Sequence, residues 1–156
     1  MSNKIVKQQA DLGVSAYLLM NKFSLLGKKE KTFYFEIEKQ NETKFDELIV
    51  NYLFSEFHYF DHCLMGLKKL QDFNFNHSNF SKNYVSDLGV AAYLLMHKFK
   101  LTSKLGKNYY FDITSQEEEN QFNEFNLQYT NSEFHDFDSK IMSLKKIGSF
   151  FKNNNI

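Results

Sequence analysis

Asp11-Leu-Gly-Val-Ser-Ala-Tyr-Leu-Leu-Met20 returns, almost letter for letter, as Asp87-Leu-Gly-Val-Ala-Ala-Tyr-Leu-Leu-Met96. The correspondence continues along the chain beyond this string. Lys22-Phe23 matches Lys98-Phe99, and Tyr34-Phe35-Glu36-Ile37 matches Tyr110-Phe111-Asp112-Ile113. After one inserted residue, Ser55-Glu56-Phe57-His58-Tyr59-Phe60-Asp61 pairs with Ser132-Glu133-Phe134-His135-Asp136-Phe137-Asp138. Met65, Leu67, Lys68 and Lys69 then pair with Met142, Leu144, Lys145 and Lys146. Self-similarity at a fixed period is the signature of a repeat architecture. It divides the chain into a lead-in (1–10), a first unit (11–70), a linker (71–86), a second unit (87–148) and a tail (149–156).

Each unit reads as α-β-β-α-α. Asp11 and Asp87 precede apolar runs, and a carboxylate at that place accepts the orphan N–H groups of a helix's first turn, here over Leu12–Asn21 and Leu88–His97. These helices are apolar nearly all round and are expected to be buried. A hairpin follows, Phe23–Leu26 and Thr32–Glu38, with Gly27 and lysines as its turn. Its second strand turns Phe33, Phe35 and Ile37 inward and Tyr34, Glu36 and Glu38 outward; Tyr109, Phe111 and Ile113 repeat the inward set. Phe45, Leu48, Ile49, Tyr52 and Leu53 stripe a second helix, answered more sparsely by Phe122, Phe125 and Tyr129. A third carries Phe60, Leu64, Leu67 and Leu70, matched by Phe137, Ile141, Leu144 and Ile147.

A unit of this size has a marginal core alone. The expected fold is therefore α+β, with two tandem copies packed as an intrachain pseudo-twofold dimer. Gly13 and Gly89 fit that picture. Glycine inside a helix costs roughly 1 kcal/mol relative to alanine, so its presence in both copies predicts a close helix crossing.

The Asp-Leu-Gly-Val-Ala-Ala-Tyr-Leu-Leu-Met string, followed by a hairpin and a closing Leu-Lys-Lys helix, resembles a family of small bacterial and phage proteins called domain of unknown function 5659. The resemblance covers both copies. It implies a small protein of phage or mobile-element type, in the host cytoplasm or the virion, and brings no catalytic residues. Family members look like single units, and this chain departs by carrying two.

Composition excludes several classes. The 156 residues carry 19 Lys+Arg against 19 Asp+Glu, with no proline or tryptophan and a single cysteine, Cys63. Every cation is lysine, so bidentate reading of phosphate, carboxylate or guanine is unavailable to it. One cysteine makes no intramolecular disulfide, which suits a reducing compartment. Lys4 and Lys7 ahead of Leu12–Met20 mimic a leader, but Asp11 and the internal recurrence of the run mark it as structure. No stretch approaches the ~20 apolar residues of a membrane span. No phosphate loop, dinucleotide fingerprint or nucleophile elbow is present, so the chain is expected not to be an enzyme and to need no cofactor.

Three constellations remain. In the repeated Glu-Phe-His-x-Phe-Asp, the residues His58, Asp61, His135 and Asp138, beside Glu56 and Glu133, are of the type that holds zinc or another divalent metal. Capping of the third helix accounts for Asp61 and Asp138 equally well. On the hairpins, Lys28, Lys29 and Lys31 gather beside outward Tyr34, and Lys100, Lys104 and Lys107 beside outward Tyr110. Lysine with an exposed aromatic is the minimal platform for a single strand of nucleic acid. Finally, Phe73, Phe75, Phe80 and Tyr84 in the linker, with Phe150 and Phe151 near the end, exceed what two small cores require and suit a protein partner or weak self-association.

The zero net charge conceals segregation. Residues 22–35 carry four Lys and one Glu, and 98–111 four Lys and no acid; 36–61 holds seven acids against two Lys, and 112–138 eight acids and no Lys. Each hairpin is basic and each following helical region acidic. The leading expectation is a non-enzymatic module acting by protein–protein contact, with weak binding of single-stranded nucleic acid as the alternative.

Overall fold

In the computed structural model, which describes residues 3–75 and 80–152, the chain is mixed α+β. Among the described residues there are six α-helices and eight strands in two antiparallel sheets. The residues sort into two compact units. One comprises the described parts of Met1–His58 and Asp136–Ile156, the other Tyr59–His135.

In the first unit, β1 (Lys4–Gln9), β2 (Ser24–Lys29), β3 (Thr32–Glu38) and β8 (Phe150–Phe151) form a sheet in the order β1-β3-β2-β8. Helix α1 (Leu12–Met20) starts as expected, with Asp11 Oδ1 accepting from Val14 N at 2.9 Å. It ends in a Schellman motif: Phe23 N donates to Leu18 O (3.1 Å) and Lys22 N to Leu19 O (3.0 Å). The residue at the left-handed position of this motif is not glycine but Lys22, at φ 72°. Helix α2 (Glu42–Leu53) and helix α6 (Glu133–Lys146) complete the unit, α6 entering it from Asp136 onward. The core is largely aromatic. Phe33, Phe35 and Ile37 point inward as predicted, and Phe45 from α2 meets Phe35 (5.7 Å) and Phe23 (5.2 Å).

The second unit holds β4 (Phe73–Asn74), β5 (Tyr84–Val85), β6 (Lys100–Leu105) and β7 (Asn108–Asp112), ordered β4-β6-β7-β5. Helix α4 (Leu88–Met96) is capped by Asp87 Oδ1 on Val90 N at 3.0 Å and closes through Lys98, again at φ 72°. Helix α5 (Gln116–Tyr129) is capped by Ser115, and helix α3 (Glu56–Lys68) joins the unit from Tyr59 onward. Here Phe122 takes the central place, packed on Phe111 (5.7 Å) and Phe99 (5.8 Å).

Several sequence expectations are corrected. The third helices begin at Glu56 and Glu133, not at Asp61 and Asp138. Ser55 Oγ accepts from His58 N, and Ser132 Oγ from His135 N, both at 3.2 Å, so serine does the capping. Serine and aspartate are comparable caps, so Ser55 and Ser132, standing more than a turn earlier, leave Asp61 and Asp138 inside the helices. Gly27 is not in the hairpin turn but in β2, beside the bulge between Leu25 and Gly27. The turn is Glu30-Lys31, with Glu30 at φ 57°. Leu53 and Leu70 face solvent rather than the core. The lead-in, linker and tail all contribute strands: β1, β4 with β5, and β8.

The two glycines in α1 and α4, expected to serve the packing of one copy on the other, instead mark a close approach inside one unit each, α1 to α2 and α4 to α5. At Gly13 a β-carbon would collide with the hydroxyl of Tyr52, and at Gly89 with that of Tyr129, each tyrosine coming from the helix packed alongside. Both tyrosines are buried.

Candidate functional site

Each sheet has helices on one face, leaving the other face to carry the outward side chains. On the first sheet, Tyr34 sits on the central strand β3 with Gln8 and Gly27 opposite it on the flanking strands. Gly27 in turn pairs with Phe151 of β8. Having no side chain, Gly27 leaves room for the Phe151 ring, which comes to 5.1 Å from that of Tyr34. The Tyr34 ring is thus half-covered by the chain's own Phe151.

The neighbouring lysines divide. Lys28 points to the helical side, 5.3 Å from the Phe33 ring centre, and its Nζ donates to Leu144 O (3.0 Å) and Ile147 O (2.9 Å). An ammonium on the last carbonyls of a helix satisfies orphan acceptors and complements the helix dipole. Lys28 therefore closes α6 and is occupied within its unit. Lys29 and Lys31 remain exposed at the hairpin tip.

The second sheet is arranged differently. Tyr110 lies on β7 between two aromatic neighbours, Tyr84 at 5.3 Å and Phe80 at 4.7 Å. Asn108 Nδ2 donates to its hydroxyl at 3.4 Å. Tyr84 is 49% exposed and Phe80 39% exposed, so the trio presents aromatic surface to solvent. Next in the row, Ser103 Oγ donates to Asn74 Oδ1 at 2.9 Å, which sets a polar border on β6 and β4. Lys104 is taken up: it pairs with Asp72 at 3.2 Å and lies 5.9 Å from the Tyr109 ring. The Lys104 hydrogen bond, with a further one from Gly106 N–H, holds the Asp72 carboxyl below its ordinary range. Lys100 and Lys107 are exposed.

The histidine–aspartate pairs are placed on the third helices. His58 and His135 are exposed and meet Tyr52 and Tyr129 edge-on, at 5.4 and 5.3 Å. Among the described residues no group of three or more histidine, cysteine or carboxylate side chains is gathered as a metal site requires. Asp61 and Asp138 lie one turn and more inside their helices, half-buried. Burial pushes the Cys63 thiol up, against a weaker opposing pull from Lys98. Such a thiol is mostly protonated at neutral pH and a poor nucleophile.

Of the eight hairpin residues singled out in the sequence, the structure leaves Lys29, Lys31, Lys100 and Lys107 at the surface and engages Lys28 and Lys104. Tyr84 and Phe80 are the additions: the sequence marked them only as surplus aromatics, and their place beside Tyr110 follows from the β5–β7 pairing of Tyr84 with Tyr110. No periodic signal could have found them, since β5 is two residues long, with Tyr84 exposed and Val85 buried.

Compared with protein-family models, with curated proteins and with solved structures, the chain finds no match.

Proposed function

We propose that this chain is a non-enzymatic binding module that acts by protein–protein interaction through the outer face of its second sheet. The observation that carries the reading is the solvent-facing cluster of Phe80, Tyr84 and Tyr110. Rigid aromatics supply large contact area at low entropic cost, and Tyr and Phe are enriched in the buried centres of interfaces. Exposed Lys100 and Lys107 flank the cluster's strands, and their charge would steer an acidic partner. Among the described residues no helix is long and apolar enough to cross a membrane.

The same proposal takes the chain as a tandem duplication of one α+β unit, of the phage or mobile-element type that the resemblance to domain of unknown function 5659 implies, placed in the host cytoplasm or the virion. Matched local details support the duplication: the Gly13–Tyr52 and Gly89–Tyr129 approaches, and the left-handed Lys22 and Lys98.

The test is capture of a partner from nuclease-treated extract of the native host by the wild type and by a Phe80→Ser/Tyr84→Ser variant. Both positions are exposed, so circular dichroism should match. Loss of the captured protein in the variant is expected; undiminished capture rejects the surface. A second reading, weak binding of single-stranded nucleic acid, is favoured by the same aromatics lying near lysines. It predicts a salt-dependent shift of a single-stranded oligonucleotide that Lys100→Glu/Lys107→Glu weakens, and no shift at low salt would sink it.

A further inference from the structure

Strands β8 and β4 lie at corresponding edges of their sheets and are held there in matching ways. Phe150 of β8 stands opposite Lys28, and Phe73 of β4 opposite Lys104. In both places the lysine Nζ lies over an inward aromatic ring, Phe33 at 5.3 Å and Tyr109 at 5.9 Å. The residue just before each strand then reaches the hairpin tip. Ser149 Oγ accepts from Glu30 N at 3.1 Å, and Asp72 Oδ1 accepts from Gly106 N at 3.0 Å. One group separates the two arrangements. Asp72 also takes the charge of Lys104, at 3.2 Å, whereas the serine hydroxyl brings Lys28 no charge.

Lys28 is left with carbonyls. Its Nζ donates to Leu144 O and Ile147 O, and among the described residues no carboxylate pairs with it. Two acceptors use two of the three N–H groups of an ammonium. Lys28, Lys31 and Lys145 also line one cavity of about 330 Å³, with Phe33 in its wall and a single carboxylate, Glu30. Cations are thus gathered beside a position where the second sheet carries an anion and the first a serine. Ser149 itself is exposed, and among the described residues its hydroxyl accepts a hydrogen bond but donates none. Lys145 and Lys146 precede it by four and three residues, a charge pattern of the kind by which kinases select substrates.

We propose that Ser149 is a phosphorylation site, and that its phosphate takes at the first sheet the place that the Asp72 carboxylate holds at the second, clasping Lys28 and the Glu30 N–H. The co-reactants are a protein kinase and a nucleoside triphosphate. Transfer forms an Oγ–P bond on Ser149 and breaks the bond between the γ-phosphorus and its bridging oxygen. The hydroxyl proton passes to the kinase's base, and a nucleoside diphosphate leaves. Strand β8 is two residues long and at the edge of its sheet, so its segment opens readily to enter a kinase. Once modified, the segment returns more firmly, because hydrogen bonds to an ionised acceptor are roughly twice as strong as neutral ones. Phosphorylation therefore locks Phe151 over the Tyr34 ring and closes that part of the first sheet's outer face.

Tandem mass spectrometry of the full chain isolated from its native host, with phosphatases inhibited, is the first test. Cleavage after Lys146 releases residues 147–152, on which phosphate is expected at Ser149; a chain without phosphate there overturns the proposal. The clasp is tested on the full chain carrying phosphoserine at position 149, introduced during synthesis. By phosphorus NMR the second phosphate ionisation, ordinarily at a pKa of about 6, should be lowered by the neighbouring ammonium in the folded chain. It should return to the ordinary value in urea and in Lys28→Met. The Lys152 amide, which donates to Leu26 O, should exchange its hydrogen about tenfold more slowly than in the unmodified chain. A phosphate that titrates alike folded and in urea overturns the clasp. So does a lowered value that persists in folded Lys28→Met, or Lys152 exchange that phosphate leaves unchanged.

Discussion

The hydroxyl of Tyr52 occupies the space in which a β-carbon on Gly13 would stand, so the two residues fix how closely α1 and α2 approach. Gly66, in the last turn of α3, is the natural contrast, since a β-carbon there meets nothing within 4 Å. Gly13→Ala is expected to cost about 1–3 kcal/mol by overpacking. Gly66→Ala should instead gain up to ~1 kcal/mol through helix propensity alone. Urea denaturation midpoints at constant m-value report both. Tyr52→Phe in the Gly13→Ala background should recover part of the loss, because the hydroxyl is the first atom struck; a cycle with no coupling would show the contact to be unimportant.

Lys22 and Lys98 hold the left-handed position that usually falls to glycine, each at φ 72°. For a residue with a β-carbon that conformation costs roughly 1–2 kcal/mol, and glycine gives back part of the gain as unfolded-chain entropy. Lys22→Gly and Lys98→Gly should each therefore raise stability, by up to about 1 kcal/mol. Thermal unfolding is the measurement. A fall in midpoint in both variants would mean that the lysine side chains do something for the fold beyond closing the helix.

Removal of the Lys28 ammonium leaves the carbonyls of Leu144 and Ile147 without that donor. Lys28→Met keeps the apolar stem over Phe33 and should still cost about 1.5–3 kcal/mol, the range for hydrogen bonds to a charged group. Lys29→Met, one residue on and exposed, should stay within ±0.5 kcal/mol. Hydrogen exchange at the end of α6 should rise in the first variant and not in the second.

The Cys63 thiol is pushed up by burial. Its alkylation in the folded chain should accordingly lag behind that of the urea-unfolded chain at pH 8, and the gap should narrow as pH rises. The linkage has a definite sign. A folded pKa above the unfolded one, ~8.5 for an ordinary thiol, gives a contribution that is complete below the unfolded value and is lost as pH climbs through the folded one. Equal alkylation rates in the two states across pH 7 to 9 would contradict the burial.

Much of each unit was legible before any coordinates. Asp11 and Asp87 announced the helices they cap, and the alternation Phe33-Tyr34-Phe35-Glu36-Ile37 announced the buried face of β3, because both signals are local and periodic. The two-residue strands were not legible. Tyr84-Val85 and Phe150-Phe151 are too short to show a period, and they exist only because a longer strand lies beside them. Nor was the destination of the third helices. A stripe such as Phe60, Leu64 and Leu67 says that a face is buried, and says nothing about which residues bury it. The candidate site suffered in the same way. Lys28 and Lys104 looked like neighbours of Tyr34 and Tyr110 in a basic hairpin, but their partners, Leu144 with Ile147 and Asp72, are far away along the chain.

The route of the chain also sets an order of events during synthesis. All of the second unit lies between Tyr59 and His135, so the whole of it is synthesised before residues 136–152. The first unit, although its sheet is begun by the earliest residues, waits for Asp136 to Lys152 to cover Tyr52 and to supply β8. The end synthesised first is thus completed last, and until then its unfilled aromatic seat is the part of the nascent chain most in need of shielding.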